Sequence, residues 1–372
     1  MICKKITYNN FRNIESEELV LSPEVNVIRG ENAQGKSNML EGIYFFARGR
    51  SFRASKDKEL IRFGESNAFL TLDYSRDESD KVSTLTATIP SAGKKIITRN
   101  GARLSSLREM IGSFRAVLFC PSHLSLVDGG PSMRRSFLDI ALAQLYPAYL
   151  DSLTQYNRAL CQRTALLKEA AGARKTDPYM WDIYADQLAS AGAKIAARRW
   201  EYLSGLSQSV SRFFGDMTDG REEPTLVYKS DAVQDGMTYD EIVSAGRDLL
   251  YEQISASLEK DIKYGINSHG VHRDDISIKI NSKEARLYAS QGQRRSLALS
   301  MKLAEGEMAK RICGEYPVFL LDDVLSELDK HRRGFILGCL KERQIVVTSC
   351  EDEYFDRGGV NFITVENGRI SQ

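Results

Sequence analysis

The segment Gly30-Glu31-Asn32-Ala33-Gln34-Gly35-Lys36-Ser37 meets the pattern G-x-x-x-x-G-K-[ST], and its flanks constrain the fold more than any other feature of the chain. Val25, Val27 and Ile28 before it read as a short buried strand, and Met39, Leu40, Ile43 and Phe46 after it recur at helical spacing. Strand, loop and helix in that order make a phosphate-binding turn. Gly30 and Gly35 permit backbone conformations that aim successive N–H groups inward, and a helix starting near Lys36 adds the positive end of its dipole. Lys36 is then placed to reach the β- and γ-phosphates and Ser37 to offer its hydroxyl to Mg²⁺, with Glu31 to Gln34 and Asn38 completing the loop. An accidental glycine turn would leave both flanking elements unexplained.

Pro317-Val318-Phe319-Leu320-Leu321 is an apolar run of the kind found in parallel strands buried on both faces, and Asp322-Asp323 follows it directly. Adjacent acids at the carboxyl edge of a sheet lie where open α/β folds bind ligands. Asp322 is the candidate partner of Mg²⁺, directly or through water, and Asp323 the candidate to orient or deprotonate an attacking water. Taken alone, the pair also reads as a solvated strand end, a reading that loses most of its weight beside the phosphate loop.

Ser290-Gln291-Gly292-Gln293-Arg294-Arg295 precedes a helix with apolar residues at Leu297, Met301, Ala304 and Met308, a spacing that puts one face on a core. Ser290 is well placed as an N-cap, and helix starts bind anions. Read alone, the segment is equally a capped helix with a basic first turn, but the arginines of that turn oppose the helix dipole, a misfit that a bound phosphate would relieve.

Together with Asn10-Phe11-Arg12-Asn13 near the start and Ser326-Glu327-Leu328-Asp329 after the acidic pair, these segments resemble the ABC-type ATPases of chromosome maintenance, the class of the SMC proteins. Gly49-Arg50-Ser51-Phe52-Arg53, Val117-Leu118-Phe119 to Pro121, Gly129-Gly130-Pro131 with Arg134-Arg135, Phe137-Leu138-Asp139 and His272-Arg273-Asp274-Asp275 narrow the likeness to the RecF proteins of bacterial DNA replication and repair. The chain departs from that pattern at Ser122-His123, where an acidic pair is expected, and at Gly270-Val271, where Gly-Pro is usual. Thr348-Ser349-Cys350, after the apolar strand Ile345 to Val347, lacks the switch histidine of transporter ATPases, and no glutamine loop stands out.

The resemblance implies an α/β fold: an ABC-type P-loop ATPase domain, a mixed sheet with helices plus an antiparallel β subdomain, interrupted by a mainly helical insertion. The expected bounds are 1–125 for the first part of the ATPase domain, 126–260 for the insertion and 261–372 for the second part. An insertion of that size suits a compact relative without the long arms of SMC proteins. The resemblance further implies an ATP-dependent homodimer in which Ser290, Gln291, Gly292, Gln293 and Arg294 of one copy cap the ATP held by the other. Arg12 is a further phosphate contact on this basis, and Ser326 and Asp329 belong to the loop after the second phosphate-site strand. Expected cofactors are ATP and Mg²⁺. Expected partners are DNA, single- and double-stranded or gapped, then RecR and RecO and, indirectly, RecA, in gap repair and the SOS response.

Residues alone support some of the secondary structure. Leu85, Ala87 and Ile89 alternate with threonines, Pro90 to Gly93 turns the chain into Lys95-Ile96-Ile97, and Asn100-Gly101 marks another turn. Helical spacing runs from Phe137 through Tyr149 to Leu160 and again from Leu188 to Phe213, with a polar break over Gly172 to Pro178. Ile276, Ile278 and Ile280 alternate as a strand, after which the main sheet is expected to resume.

Of the 372 residues, 51 are basic and 50 acidic, so net charge argues nothing for nucleic acid. Distribution argues more: Lys94, Lys95, Arg99 and Arg103, with Arg108 and Arg115, lie in a stretch with few acids, and Arg50, Arg53, Lys56 and Lys58 form a second group. Either group is a solvated face or a phosphate-binding surface. No apolar stretch resembles a signal peptide or a membrane span, so a cytoplasmic protein with no membrane partner is expected, and the six cysteines form no C-x-x-C pair. Besides a repair clamp, two classes stay open: a transporter energy subunit and a defence ATPase with nuclease activity. DNA-stimulated ATP hydrolysis and phosphodiester cleavage separate the three.

Overall fold

The computed structural model describes residues 1–76, 81–172, 177–350 and 359–371. Two compact units emerge, one made of Met1–Ser125 with Ala298–Gln372 and the other of Leu126–Leu297. In chain order the first segment carries β1 (Ile2–Phe11), β2 (Ile14–Val20), β3 (Val25–Arg29), α1 (Lys36–Arg48), β4 (Asn67–Ser75), β5 (Val82–Pro90), β6 (Ile96–Arg99), β7 (Ala102–Arg103) and β8 (Ala116–Phe119). The insertion follows with α2 (Pro131–Leu145), α3 (Pro147–Ala171), α4 (Pro178–Met217), β9 (Pro224–Lys229), α5 (Tyr239–Ala256), α6 (Leu258–Tyr264), β10 (Asp275–Ile280), β11 (Lys283–Glu284) and α7 (Ala285–Tyr288). The chain then runs through α8 (Gln291–Cys313), β12 (Val318–Asp322), α9 (Lys330–Cys339), β13 (Ile345–Ser349), β14 (Val360–Glu366) and β15 (Arg369–Ser371).

In the first unit, one six-stranded sheet has the order β15-β14-β3-β13-β12-β8. All its pairings are parallel except β14 with β15. Every residue of β8, β12 and β13 is buried, as the apolar runs of β8 and of residues 318–321 and 345–347 lead one to expect, and the polar ends Asp322, Thr348 and Ser349 are buried with them. The other six-stranded sheet, β2-β1-β4-β5-β6-β7, is antiparallel throughout. Its buried residues, among them Ile6, Tyr8, Leu70, Leu72, Leu85 and Ile89, join Met39, Leu40, Ile43 and Phe46 of α1 in one core. The alternation over residues 85–89 becomes β5, and the turn at Asn100-Gly101 joins β6 to β7.

Helices dominate the second unit, as expected, but its end differs from the expected 260. Ile276, Ile278 and Ile280 do form a strand, yet β10 pairs with β9 and β11 in a separate three-stranded sheet and does not resume the main one. Only partners remote in sequence decide which sheet an alternating strand joins. The helical spacing from Phe137 to Leu160 is also two helices, because Pro147 opens α3 and leaves Tyr146 extended. The polar break between α3 and α4 includes residues 173–176, which lie outside the described residues. Residues 296–306 of α8 are buried on every side, where one apolar face was expected; Lys302 and Glu305 pair inside.

A polar core holds the insertion. Arg199 bonds Asp139 at 2.8 Å, Asp274 at 3.3 Å and the Val271 carbonyl at 2.9 Å. Arg134 meets both oxygens of Asp275, at 2.6 and 2.9 Å, and the His272 ring lies between the Tyr156 hydroxyl and the Asn267 carbonyl. Burial pulls the His272 pKa down to about 4, so the ring is neutral at physiological pH. Gly270 cannot carry a side chain: its φ is 120°, and a Cβ would stand 2.3 Å from the Tyr156 hydroxyl. Arg163, with its side chain 2% exposed, donates to fully buried Asp261 at 2.8 Å.

Removing one member of that buried pair leaves an uncompensated charge. Arg163→Met is expected to destabilise the protein by about 3–5 kcal/mol, while the double change with Asp261→Leu recovers most of the loss. Urea midpoints followed by fluorescence check this, and a single variant with the parent's midpoint would contradict it.

Candidate nucleotide site

At the end of β3 the chain enters the glycine loop. Gly30 has φ 150° and a Cβ there would lie 2.3 Å from the Val365 carbonyl oxygen of β14, so the adjacent strand excludes any side chain. Gly35, at φ 112°, precedes α1 and would meet the Asn13 amide. Ala33, at φ 66°, is held in the left-handed region without glycine's freedom, at a cost of roughly 1–2 kcal/mol. The loop is pinned from outside through Gln34: its side-chain oxygen accepts from Asn367 N at 2.6 Å, and its carbonyl accepts from Gly368 N at 2.8 Å and Asn13 Nδ2 at 3.2 Å. No side chain caps α1, and its first turn holds no acid, which suits an anion at the helix start.

Lys36 is buried beneath the loop. Its Nζ donates to the Gly30 and Glu31 carbonyls at 2.6 and 2.7 Å and to Cys350 Sγ at 3.2 Å, so the ammonium already sits within the turn. Cys350 in turn donates to Asn32 Oδ1. Ser37 lies close enough to the Asp322 carboxylate to hold its pKa down. A hydroxyl and a carboxylate converging at the mouth of a phosphate loop are hard oxygen donors of the sort Mg²⁺ takes alongside phosphate oxygens, so the residues present fit that ion.

Asp322 ends β12, and its Oδ1 accepts from Thr348 Oγ1 at 3.0 Å. Burial pushes its pKa up; the Ser37 and Thr348 hydroxyls and the Arg53 charge oppose that, while Asp323 adds to it. Asp323 follows at φ 50°, its N–H bonded to Thr348 Oγ1 at 2.9 Å. Ser326 donates to the Asp323 carbonyl at 2.8 Å, and Asp329 caps α9 by accepting from Arg332 N at 2.9 Å. That backbone bond holds the Asp329 carboxyl below its usual range.

Arg12 meets both oxygens of buried Glu41 on α1, at 2.8 and 2.9 Å, and donates to the Glu59 carbonyl at 2.8 Å. A guanidinium has five N–H groups, so Arg12 keeps donors to spare. Sequence reasoning placed Arg53 in a basic group and in a family motif, with no role at the nucleotide. Its Nη1 donates to Asn38 Oδ1 at 3.0 Å and its charge acts on Asp322, so it belongs beside the phosphate loop. The available signal was its place in Gly49-Arg50-Ser51-Phe52-Arg53, one short loop past α1.

In the second unit, Ser290 and Gln293 form a capping box: Ser290 N donates to Gln293 Oε1 at 2.6 Å, and Gln293 N to Ser290 Oγ at 3.2 Å. Gln293 also donates to Glu222, and Arg294 to Asp128 at 3.2 Å, so two carboxylates occupy these side chains. Ser290 and Gln291 are exposed, and Gly292 is half-buried.

Among the basic candidates for DNA, Lys94 and Arg103 are exposed, and Arg99 is exposed with a bond to Ser113 at 3.2 Å. Lys95 is occupied within the fold, donating to the Gly49 carbonyl at 2.6 Å, pairing with Asp57 at 2.8 Å and lying over the Phe45 ring. Arg115 is buried against Glu315. His123, in place of the expected acid, is buried with Nδ1 3.0 Å from the Leu118 carbonyl, and burial drives its pKa down to about 3.

Residues 2–371 match the family model of the RecF/RecN/SMC N terminal domain. The DNA replication and repair protein RecF of Clostridium perfringens is 38% identical over 374 residues, spanning 100% of this chain and 99% of that protein. Two solved structures of the recombination mediator protein RecF in the RecFOR pathway, one with ATPrS and one with ATP, superpose with TM-scores of 0.91 and 0.88. Each is 35% identical and covers 100% of this chain, which covers 97% and 98% of them respectively.

Asp322 yields a pH test. Its folded-state pKa lies above the unfolded value, so protonation favours the native state and stability falls as pH rises through that raised value. Without nucleotide or metal, Asp322→Asn is expected to melt above the parent at pH 8, with the gain shrinking as pH drops toward the ordinary carboxylate range. A gain that does not change with pH in thermal melts would contradict it.

Proposed function

The chain belongs to the RecF family of DNA replication and repair proteins, ABC-type ATPases of the SMC kind, and we propose that it works as an ATP-controlled clamp on DNA. One observation carries the reading: Ser37 and the Asp322 carboxylate come together at the mouth of a loop whose lysine is already tucked inside. In this reading ATP binds with its phosphates on the loop amides, and Lys36 exchanges the Gly30 and Glu31 carbonyls for β- and γ-phosphate oxygens. Ser37 and Asp322 would hold Mg²⁺, which would supply charge neutralisation on those phosphates. Asp323 orients the attacking water and takes its proton, and Arg53 adds positive charge beside Asp322.

Ser290 to Arg294 of a second copy complete the site, so ATP closes a homodimer and hydrolysis opens it. For that, Gln293 leaves Glu222 and Arg294 leaves Asp128, and the γ-phosphate replaces the two carboxylates. A ligand held between two copies binds the closed state more tightly than the open one, which is the differential affinity a nucleotide switch requires. Exposed Lys94, Arg99 and Arg103 are the basic residues best placed for DNA backbone phosphates, recognising duplex and gapped DNA by shape. The clamp acts in the cytoplasm with RecR and RecO to load RecA at gaps and so feeds the SOS response. Hydrolysis is slow and stimulated by DNA.

Sedimentation with ATP-Mg²⁺ and gapped DNA is expected to show dimers on DNA that Lys36→Met loses; a nucleotide-indifferent monomer that ignores DNA would refute the clamp. Ser290→Arg is expected to keep ATP binding and lose ATP-dependent dimers, and normal dimers from that variant would sink capping in trans. Asp323 is one methylene shorter than the glutamate of transporter ATPases, and Asp323→Glu is expected to exceed the parent in single-turnover hydrolysis; equal rates would remove chain length as the cause of slowness.

A further inference from the structure

The two carboxylates at the end of β12 share one neighbour. Thr348 of β13 is the parallel partner of Asp322 in the sheet, and its side chain shares a face with that carboxylate. It is 1% exposed. A hydroxyl has one donor and two acceptor positions. This one spends its donor on Asp322 Oδ1 at 3.0 Å and accepts from the Asp323 N–H at 2.9 Å. The second bond falls on a residue at φ 50°, a backbone conformation that an L-residue other than glycine adopts only when its surroundings hold it. Thr348 also pairs with Ile28 of β3, so the residue that touches both acids belongs to the strand lying against the phosphate-loop strand.

We propose that Thr348 is a positioning residue for ATP hydrolysis: its hydroxyl sets the direction in which Asp322 faces Ser37 and fixes the backbone turn that carries Asp323. The proposal rests on reading the site as an ATPase. Thr348 acts only through the two aspartates. Valine keeps the branched shape and makes neither bond, while serine keeps the hydroxyl.

The test compares the parent chain with Thr348→Val and Thr348→Ser in three measurements: melting temperature without ligand, binding of a fluorescent non-hydrolysable ATP analogue in EDTA and in Mg²⁺, and single-turnover hydrolysis. The valine variant is expected to match the parent in EDTA, to lose the affinity that Mg²⁺ adds, and to hydrolyse about 10- to 100-fold more slowly. Serine is expected to restore both. Parental Mg²⁺ dependence and rate in the valine variant would overturn the proposal. So would equal losses in EDTA and Mg²⁺ that follow a lowered melting temperature, which would make Thr348 a core residue only, or a serine variant as impaired as valine. Thr348→Ala removes the same hydroxyl if the valine variant does not fold, and the same criteria decide. A parent that neither binds nor hydrolyses ATP brings down the ATPase reading with the proposal, whereas a hydrolysing parent matched by the valine variant brings down the proposal alone.

Discussion

Everything at the nucleotide site depends on β13 being hydrogen-bonded in parallel between β3 and β12. β3 delivers the phosphate loop and β12 delivers the acids, and the two never pair directly. Asp322 lies opposite Thr348, and Thr348 opposite Ile28, so the register of one strand sets the level of both motifs. Buried polar side chains secure that register. Asn26 on β3 donates to the Ile345 carbonyl at 3.3 Å, and Gln344, just before β13, donates to the Cys3 and Ser22 carbonyls at 2.7 and 2.8 Å. A one-residue slip would strand these amides without partners, and buried unpaired amides are expensive.

A second fixed point is Glu41. Its carboxylate is fully buried on the helix that follows the phosphate loop, and such a charge persists only if it is paired and hydrogen-bonded. Arg12 meets it from the β1–β2 turn and the Ser51 hydroxyl meets it from the loop after α1. Ser51 Oγ then accepts from the N–H groups of Arg53 and Ala54 at 2.8 and 2.6 Å. The carboxylate thus gathers three segments and sets the backbone from which Arg53 reaches Asn38. Arg12 is first a partner of Glu41, and any contact it makes with phosphate is made from that anchored position.

In the insertion the polar landmarks have a packing role. Arg134, Asp139, Asp274 and Asp275 bind one another or Arg199 in a core that must satisfy every charge it buries. The Asp274 carboxyl is pushed up to about 6 by burial, with Arg199 and the Tyr228 hydroxyl opposing the shift. These residues resemble family signatures in the sequence, and what they do within the unit is hold α2, α4 and β10 together.

The sequence alone carried the local structure around these motifs. The glycine loop, the buried strand leading into Asp322-Asp323 and the Ser290 cap are each announced by residue type and spacing over a few positions, so they could be read before the remote residues that pin them were known. The alternation of β5 and the apolar run of β13 were legible for the same reason. What remained hidden were the choices made by distant partners. β10 reads as a strand, but only β9, far earlier in the chain, decides that it joins a sheet of its own. Lys95 and Arg53 both read as basic surface residues. Asp57 and the Gly49 carbonyl draw Lys95 into the fold, while Ser51 and Asn38 bring Arg53 to the phosphate loop. Thr348 carries no motif at all, and its contact with both acids exists only because parallel pairing sets it opposite Asp322. Short-range periodicity records which face of an element is buried; which element covers that face, and which polar atom meets which, is settled by long-range packing that leaves no periodic trace.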